Sequence, residues 1–214
     1  MFIEQPPWLF RALYPQAIFR MDPNERAVYL TFDDGPIPEV TPWVLEILEK
    51  HHIKATFFMV GDNVARNPQL LEEVRRRGHS VGNHTMHHLQ GMKVTAYRYM
   101  HDISEANDLI GSDLFRPPHG LLRWKQARAI KDRYNIVMYD LVTRDYSKKL
   151  TPEQVFANVR RYARNGSIIV FHDSLKAERN MKAVLPQAIE WLLARGYTFA
   201  RIPTGQPDDA TASK

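Results

Sequence analysis

The chain has no cysteine among its 214 residues. That removes disulfides, thiolate metal sites and cysteine nucleophiles together, while leaving the compartment open. Long apolar runs are also missing. The first residues, Met1 to Pro7, offer neither a basic stretch nor an uninterrupted apolar one, and Trp8-Leu9-Phe10 is soon broken by Arg11. Neither a signal peptide nor an integral membrane span is expected. The cytoplasm is then the default location, with a leader removed from a precursor left open. Blocks of a single charge are lacking as well. The count is 29 basic against 24 acidic residues, +5 with neutral histidines, and the two signs are interspersed. The densest basic run, Arg75-Arg76-Arg77, falls at the end of an expected helix, where cations favour the dipole and solvent. A nucleic-acid partner would want basic residues clustered on one face with aromatics between them, and none is expected.

What is present is the make-up of one globular domain: an apolar fraction of 44% and enough length for a real core. From about residue 27 strand-like and helical runs alternate. Strands are expected over 27–33, 55–60, 79–83, 112–116, 135–142, 167–172 and 197–202. Helices are expected over 38–52, 67–78, 95–110, 122–133, 151–166 and 180–195. Asn67-Pro68 reads as an N-cap with proline in the first turn, and Thr151-Pro152-Glu153-Gln154 as a capping box. Gly78, Gly166 and Gly196 close helices. Strands separated by helices argue for a parallel sheet with right-handed crossovers. Polar motifs recur where successive strands end, which favours closure into an α/β fold of the (β/α) barrel kind, with one shared mouth. Residues 1–26 are expected to form an N-terminal extension packed on the domain, 27–203 the domain itself, and 204–214 a flexible tail. Trp8-Leu9-Phe10 is expected to pack on the domain, with a membrane-surface or subunit contact as the other reading.

The most telling stretch is Thr31-Phe32-Asp33-Asp34-Gly35-Pro36, two adjacent carboxylates at the end of an apolar strand. Neighbouring carboxylates repel and persist beside a core when a cation or an arginine offsets them. An Asp-Asp-Gly alone is more often a turn. Beside His84-Thr85-Met86-His87-His88 the balance tips towards a metal, because one aspartate and two histidines make a hard-to-borderline donor set. His84 and His88 stand four apart, so a helical turn would put them on one face. His87 reads as a neighbour rather than a ligand.

Three further segments complete the pattern: Arg116-Pro117-Pro118-His119-Gly120, Asp140 to Tyr146, and Ile169-Val170-Phe171-His172-Asp173. In this order the five segments resemble the polysaccharide deacetylase family, the NodB-homology domain of carbohydrate esterase family 4, over roughly residues 27 to 202. The resemblance implies a distorted seven-stranded (β/α) barrel. It implies that Asp34, His84 and His88 hold a divalent metal, most often zinc, with cobalt, nickel, manganese or iron as alternatives. Asp33 would then be the general base, Arg116 its fixed partner, His172 the general acid that protonates the leaving amine, and Asp145 the carboxylate orienting His172. The backbone N–H of His119 would face the developing oxyanion, and Tyr146 and Val170 would wall the acetyl pocket. The sequence departs from the family in having His119 where tyrosine is usual, Tyr146 where tryptophan is usual, and Thr143 in place of a serine.

The activity implied is metal-dependent removal of N-acetyl groups from an amino-sugar oligo- or polysaccharide, with an N-acetylated carbohydrate as partner. Hydrolysis of another small C–N bond, a ureide or formamide, uses the same machinery. A non-catalytic glycan-binding domain of the same fold would be expected to lose Asp33, Arg116 or His172, and none is lost. The sequence leaves open a homo-oligomer.

Overall fold

The computed structural model of the protein describes residues 4–205. Most of the tail expected at 204–214 lies outside the described residues. In chain order the first elements are α1 (Trp8–Ala12), β1 (Ala17–Ile18), β2 (Ala27–Asp33), α2 (Thr41–Lys50), β3 (Thr56–Met59), α3 (Gly61–Arg66) and α4 (Pro68–Arg76). There follow β4 (Ser80–Asn83), α5 (Ala96–Ile110), β5 (Leu114–Phe115), α6 (Trp124–Ile130), β6 (Asn135–Val137) and β7 (Leu141–Val142). The last are α7 (Pro152–Tyr162), β8 (Ile168–His172), α8 (Glu178–Ala194) and β9 (Thr198–Phe199).

β2 is buried along its whole length, as a near-continuous apolar strand covered on both faces must be. It lies between β3 and β8, and the sheet runs β1-β6-β5-β4-β3-β2-β8-β7 with β9 also on β2, every named pair parallel. Phe32 stacks on Phe57 at 5.0 Å and on Phe171 at 6.2 Å. α2 and α8 bury Val44, Leu45 and Leu48, and Val184, Leu185, Ile189 and Leu192, against this centre. The result is the expected α/β architecture, a curled parallel sheet forming a distorted barrel.

The strand count differs from the expected seven, for two reasons. Ala17–Ile18 adds an edge strand against β6. The run 135–142 divides in two because it changes partners: β6 pairs with β5 and β1, whereas β7 pairs with β8. Between them Met138 N–H bonds Ile18 O and Asp140 N–H bonds Ile168 O, so this segment joins the two ends of the sheet and draws it into a barrel. Asp140 is fully buried there, held by Arg11 at 2.6 Å, by Arg164 and by the Ser167 hydroxyl. Phe10 packs edge-on against Tyr14 and Phe19, while Trp8 and Leu9 stay exposed.

Most helix ends follow the sequence. The Thr151–Gln154 capping box forms, and Thr95 accepts from Arg98 N–H at the start of α5. The Asn67 cap does not: its side chain donates instead to Asn63 O, because the unexpected α3 ends directly in front of it. Gly166 lies beyond the end of α7 at Tyr162, in the turn entering β8, at φ 72°. A Cβ there would come within 2.5 Å of Met21 O. No helix among the described residues is long and apolar enough to cross a membrane.

Register brings the polar motifs to one rim. Asp33 stands opposite both Phe58 and His172, Met59 opposite Asn83, and Asn83 opposite Phe115. His84 and Arg116 each follow directly from these ends.

Candidate active site

At the rim lies a cleft of about 180 Å³ lined by Asp33, Asp34, His84, His88, Arg116, His119, Tyr146, Val170 and His172. Nine of the ten residues singled out from the sequence therefore face one space. The tenth, Asp145, touches it through His172.

Asp33, at the end of the central strand, is buried and accepts a 2.6 Å hydrogen bond from Arg116 Nη1. Arg116 is held from every side. Nη1 also reaches Thr31 Oγ1, Nη2 donates to Met138 O and Nε to Val137 O, and the guanidinium lies 4.0 Å from the centroid of the Phe58 ring. Burial pulls its pKa down, and the Asp33 carboxylate counters that pull. A buried arginine with this many acceptors keeps its charge and fixes the carboxylate beside it.

Asp34 turns away from the strand at φ 80°, its carbonyl accepting from Asn63 Nδ2. Its Oδ1 lies 3.2 Å from His88 Nε2 and 3.7 Å from His84 Nε2. Burial would raise the Asp34 pKa, but the hydrogen bond to His88 and the nearby His172 and His84 overcome it and hold the carboxyl well below the usual range. His84 Nδ1 bonds Arg116 O at 2.7 Å, which leaves Nε2 free as a lone-pair donor. Burial lowers the His84 pKa to about 4, so the ring is neutral, as a ligand must be. One ligand atom each from Asp34, His84 and His88 lie within 4.8 Å of one another. This donor set fits a divalent cation.

The two histidines do not share a helical face. Residues 84–88 form a loop, with Thr85 at φ 67° and His88 at φ 52°. Left-handed backbone at non-glycine residues must be held by its surroundings, and Asp102 of α5 does much of the holding. Its buried carboxylate accepts from Met86 N–H at 2.9 Å and His87 N–H at 3.1 Å, and pairs with His87 Nδ1 at 2.6 Å. His87 thus supports the loop, as a neighbour of the donor set. A fixed pattern of four residues could have indicated a helix, but nothing local in the sequence marks Asp102 as its anchor.

On the other side His172 presents its imidazole at the end of β8. Nδ1 pairs with Asp145 Oδ1 at 2.8 Å, and its backbone N–H bonds Asp145 Oδ2 at 2.8 Å. Burial alone would lower its pKa, but Asp145, with Asp34 and Asp33 adding to it, raises it to about 9. The Asp145 loop is secured in turn by Asn180, whose Nδ2 donates to Asp145 O, Ser147 O and Leu150 O. Tyr146 packs edge-on to His172 at 4.8 Å, and with Tyr139, Val142 and Val170 makes a small apolar cluster.

His119 takes the left-handed φ of 61° within Pro118–Gly120, and its ring lies 4.9 Å from that of His88. Gln90 Nε2 approaches its Nε2 at 3.0 Å. Two further residues matter that were given no role in the site from the sequence, the first of them the last residue of the fifth segment. Asp173 is fixed behind the first motif, accepting from Gly35 N–H at 3.1 Å and Thr41 Oγ1 at 2.6 Å. A Cβ on Gly35 would come within 2.1 Å of that carboxylate, which is why glycine stands there. Lys176 lines the cleft mouth beside Tyr146.

The family model for polysaccharide deacetylase matches residues 20–137. A peptidoglycan-N-acetylglucosamine deacetylase of Bacillus cereus is 33% identical over 187 residues, covering 84% of this chain and 87% of that protein. The crystal structure of a peptidoglycan N-acetylglucosamine deacetylase superposes with a TM-score of 0.85 at 28% identity, covering 92% of this chain and 95% of that one. A carbohydrate esterase family 4 pseudoenzyme from Bacillus anthracis superposes with a TM-score of 0.78 at 27% identity, covering 87% and 67%. With its motifs gathered at one rim and this extent of likeness, the chain belongs to the polysaccharide deacetylase family.

Proposed function

We propose that this cleft hydrolyses the N-acetyl group of an amino sugar within a glycan, releasing acetate and leaving the free amine. The observation that carries the reading is the meeting of two oppositely poised pairs, Asp33–Arg116 and His172–Asp145, with the Asp34–His84–His88 donor set at one cleft. One pair presents a carboxylate, the other a proton. The family also contains a pseudoenzyme neighbour, so it is this complete set, and not membership, that argues for catalysis.

Asp34, His84 and His88 would hold the metal, with zinc favoured by one carboxylate and two neutral imidazoles. When bound, such a cation supplies Lewis acidity that lowers the pKa of water and polarises the acetyl carbonyl. Asp33 takes a proton from the attacking water, a task for which Arg116 holds it in one orientation. The N–H of His119, turned by the left-handed backbone between Pro118 and Gly120, is the donor for charge developing on the carbonyl oxygen. Protonated His172 gives its proton to the nitrogen as the C–N bond breaks, since an amide anion cannot leave. The apolar cluster of Tyr139, Val142, Tyr146 and Val170 receives the acetyl methyl.

The test is acetate release by metal-loaded protein from N-acetylglucosamine oligomers and peptidoglycan strands, with Asp33→Asn alongside. Release by the wild type and a fall of about 10²–10⁴-fold in the variant, the span of general acid–base catalysis, are expected. Release that survives Asp33→Asn would overturn the assignment, and bound metal without release would move the activity to another small C–N bond.

A further inference from the structure

Two of the cationic groups that line the cleft are paired with a carboxylate among the described residues, and the Asp34 carboxylate faces imidazoles. Arg116 is paired with Asp33 at 2.6 Å and His172 with Asp145 at 2.8 Å, and Asp34 lies beside His88 and His84. Lys176 has no ion pair among the described residues. It sits in the turn between β8 and α8, and its Nζ rests 5.2 Å from the centroid of the Tyr146 ring. A tyrosine face attracts an ammonium and gives it a preferred place without neutralising it. Tyr146 itself packs against His172, so this cation stands at the end of the cleft where the amine is released. The cleft it borders carries an apolar stretch of wall made of Met138, Tyr139, Val142 and Val170. A lone charge at the mouth of a cleft with low-dielectric walls draws counter-charge into it.

We propose that Lys176 selects glycans carrying a carboxylate next to the reacting acetamido group, so that the substrate is an acidic strand rather than a neutral one, an inference that rests on the deacetylase reading above. The cleft volume of about 180 Å³ is below the roughly 300–1,000 Å³ of sites that engulf whole ligands. The neighbouring parts of a polymer therefore lie on the rim, within reach of a lysine there. The net charge of +5 favours the same class of polymer at longer range. The carboxylate has two sources, an acid group on a sugar of the strand itself or one on a peptide attached to it.

The probes are a tetrasaccharide alternating N-acetylglucosamine with N-acetylmuramic acid, the same strand with its carboxylates converted to methylamides, and the peptide-bearing strand. The wild type should prefer the free acid to the methylamide by about three- to ten-fold in kcat/KM, as expected for one partly exposed charge-assisted contact. The preference should shrink as salt is raised. Lys176→Met, which keeps the stem on Tyr146, should abolish the preference, and Lys176→Arg should retain it. A lysine that only packs on Tyr146 would lower both substrates together in Lys176→Met and leave the ratio unmoved, which overturns the proposal, as does an equal ratio in all three proteins. Preference for the unsubstituted acid strand assigns the sugar carboxylate, and preference confined to the peptide-bearing strand assigns the peptide; each supports a carboxylate partner. Dissociation constants measured in the Asp33→Asn and Asp33→Asn/Lys176→Met backgrounds give the same ratio without turnover. Failure of deacetylation is thereby separated from failure of charge selection.

Discussion

The two halves of the cleft are built by different means. Asp33 and His172 are strand residues, set opposite each other by the pairing of β2 with β8. The donor set and its neighbour are held by irregular backbone, with Asp34, Thr85, His88 and His119 all at positive φ and none a glycine. Strand register is enforced by the buried central strands of the sheet, where a slip would turn every side chain to the wrong face. Left-handed backbone at such residues costs of order 1 kcal/mol or more each and survives only where other groups hold it. One half is therefore specified by the core, and the other by a few named anchors, Asn63, Asp102 and Gln90.

That contrast can be broken from either side. The largest effect is expected on the strand-built half. Asp145→Asn removes the carboxylate that most strongly raises the His172 pKa to about 9 against an ordinary 6.5. With the raised value His172 stays protonated through neutrality and loses its proton as pH climbs through about 9. In the variant the proton leaves earlier, so the alkaline limb of the kcat profile should move towards pH 6–7, with kcat lowered about 10²-fold or more. A limb that stays put would mean that His172 does not set it.

An intermediate effect is expected on the loop-built half. Asp102→Asn keeps the size of the side chain but leaves a single acceptor oxygen, so it can no longer hold Met86 and His87 N–H on one oxygen and pair the His87 ring with a charged second one. Zinc affinity, read by chelator competition, should fall about 10- to 100-fold, as for other residues that orient metal ligands. The alkaline limb set by His172 should not move. If both change together, the two halves are not independent.

The smallest effect sharpens the comparison by sparing both halves. Thr151→Ala removes the N-cap of α7, away from the cleft. It should cost about 1 kcal/mol and lower Tm by about 2–4 °C for a chain of this size. kcat and KM should be unchanged.

The same division explains how much could be read from the sequence. Asp33 and Asp34 stood out because an apolar run ends on them, and His172 because it closes another. Strand ends are legible since period and composition mark them. The convergence of His84 with His88 was legible too, but for a different reason than helical spacing: a loop with two left-handed residues brings them together. Sequence gives no local sign of positive φ at threonine or histidine. Asp102 and Asn180 were illegible because their targets lie on other elements, and Lys176 because a solvated lysine and a cleft lysine look alike in a sequence. The run 135–142 reads as one strand, since changing partners midway leaves no mark on composition.

Arg116 has one further consequence. Besides Asp33 it binds the carbonyls of Val137 and Met138, on the segment that draws the two ends of the sheet together. The arginine holds its final position only with that segment in place, so the orientation of the base depends on the completed topology. A partly assembled chain would carry every motif residue and still be inert. Hydrolysis would then report the integrity of the whole molecule, and a nascent or damaged copy would be silent rather than indiscriminate.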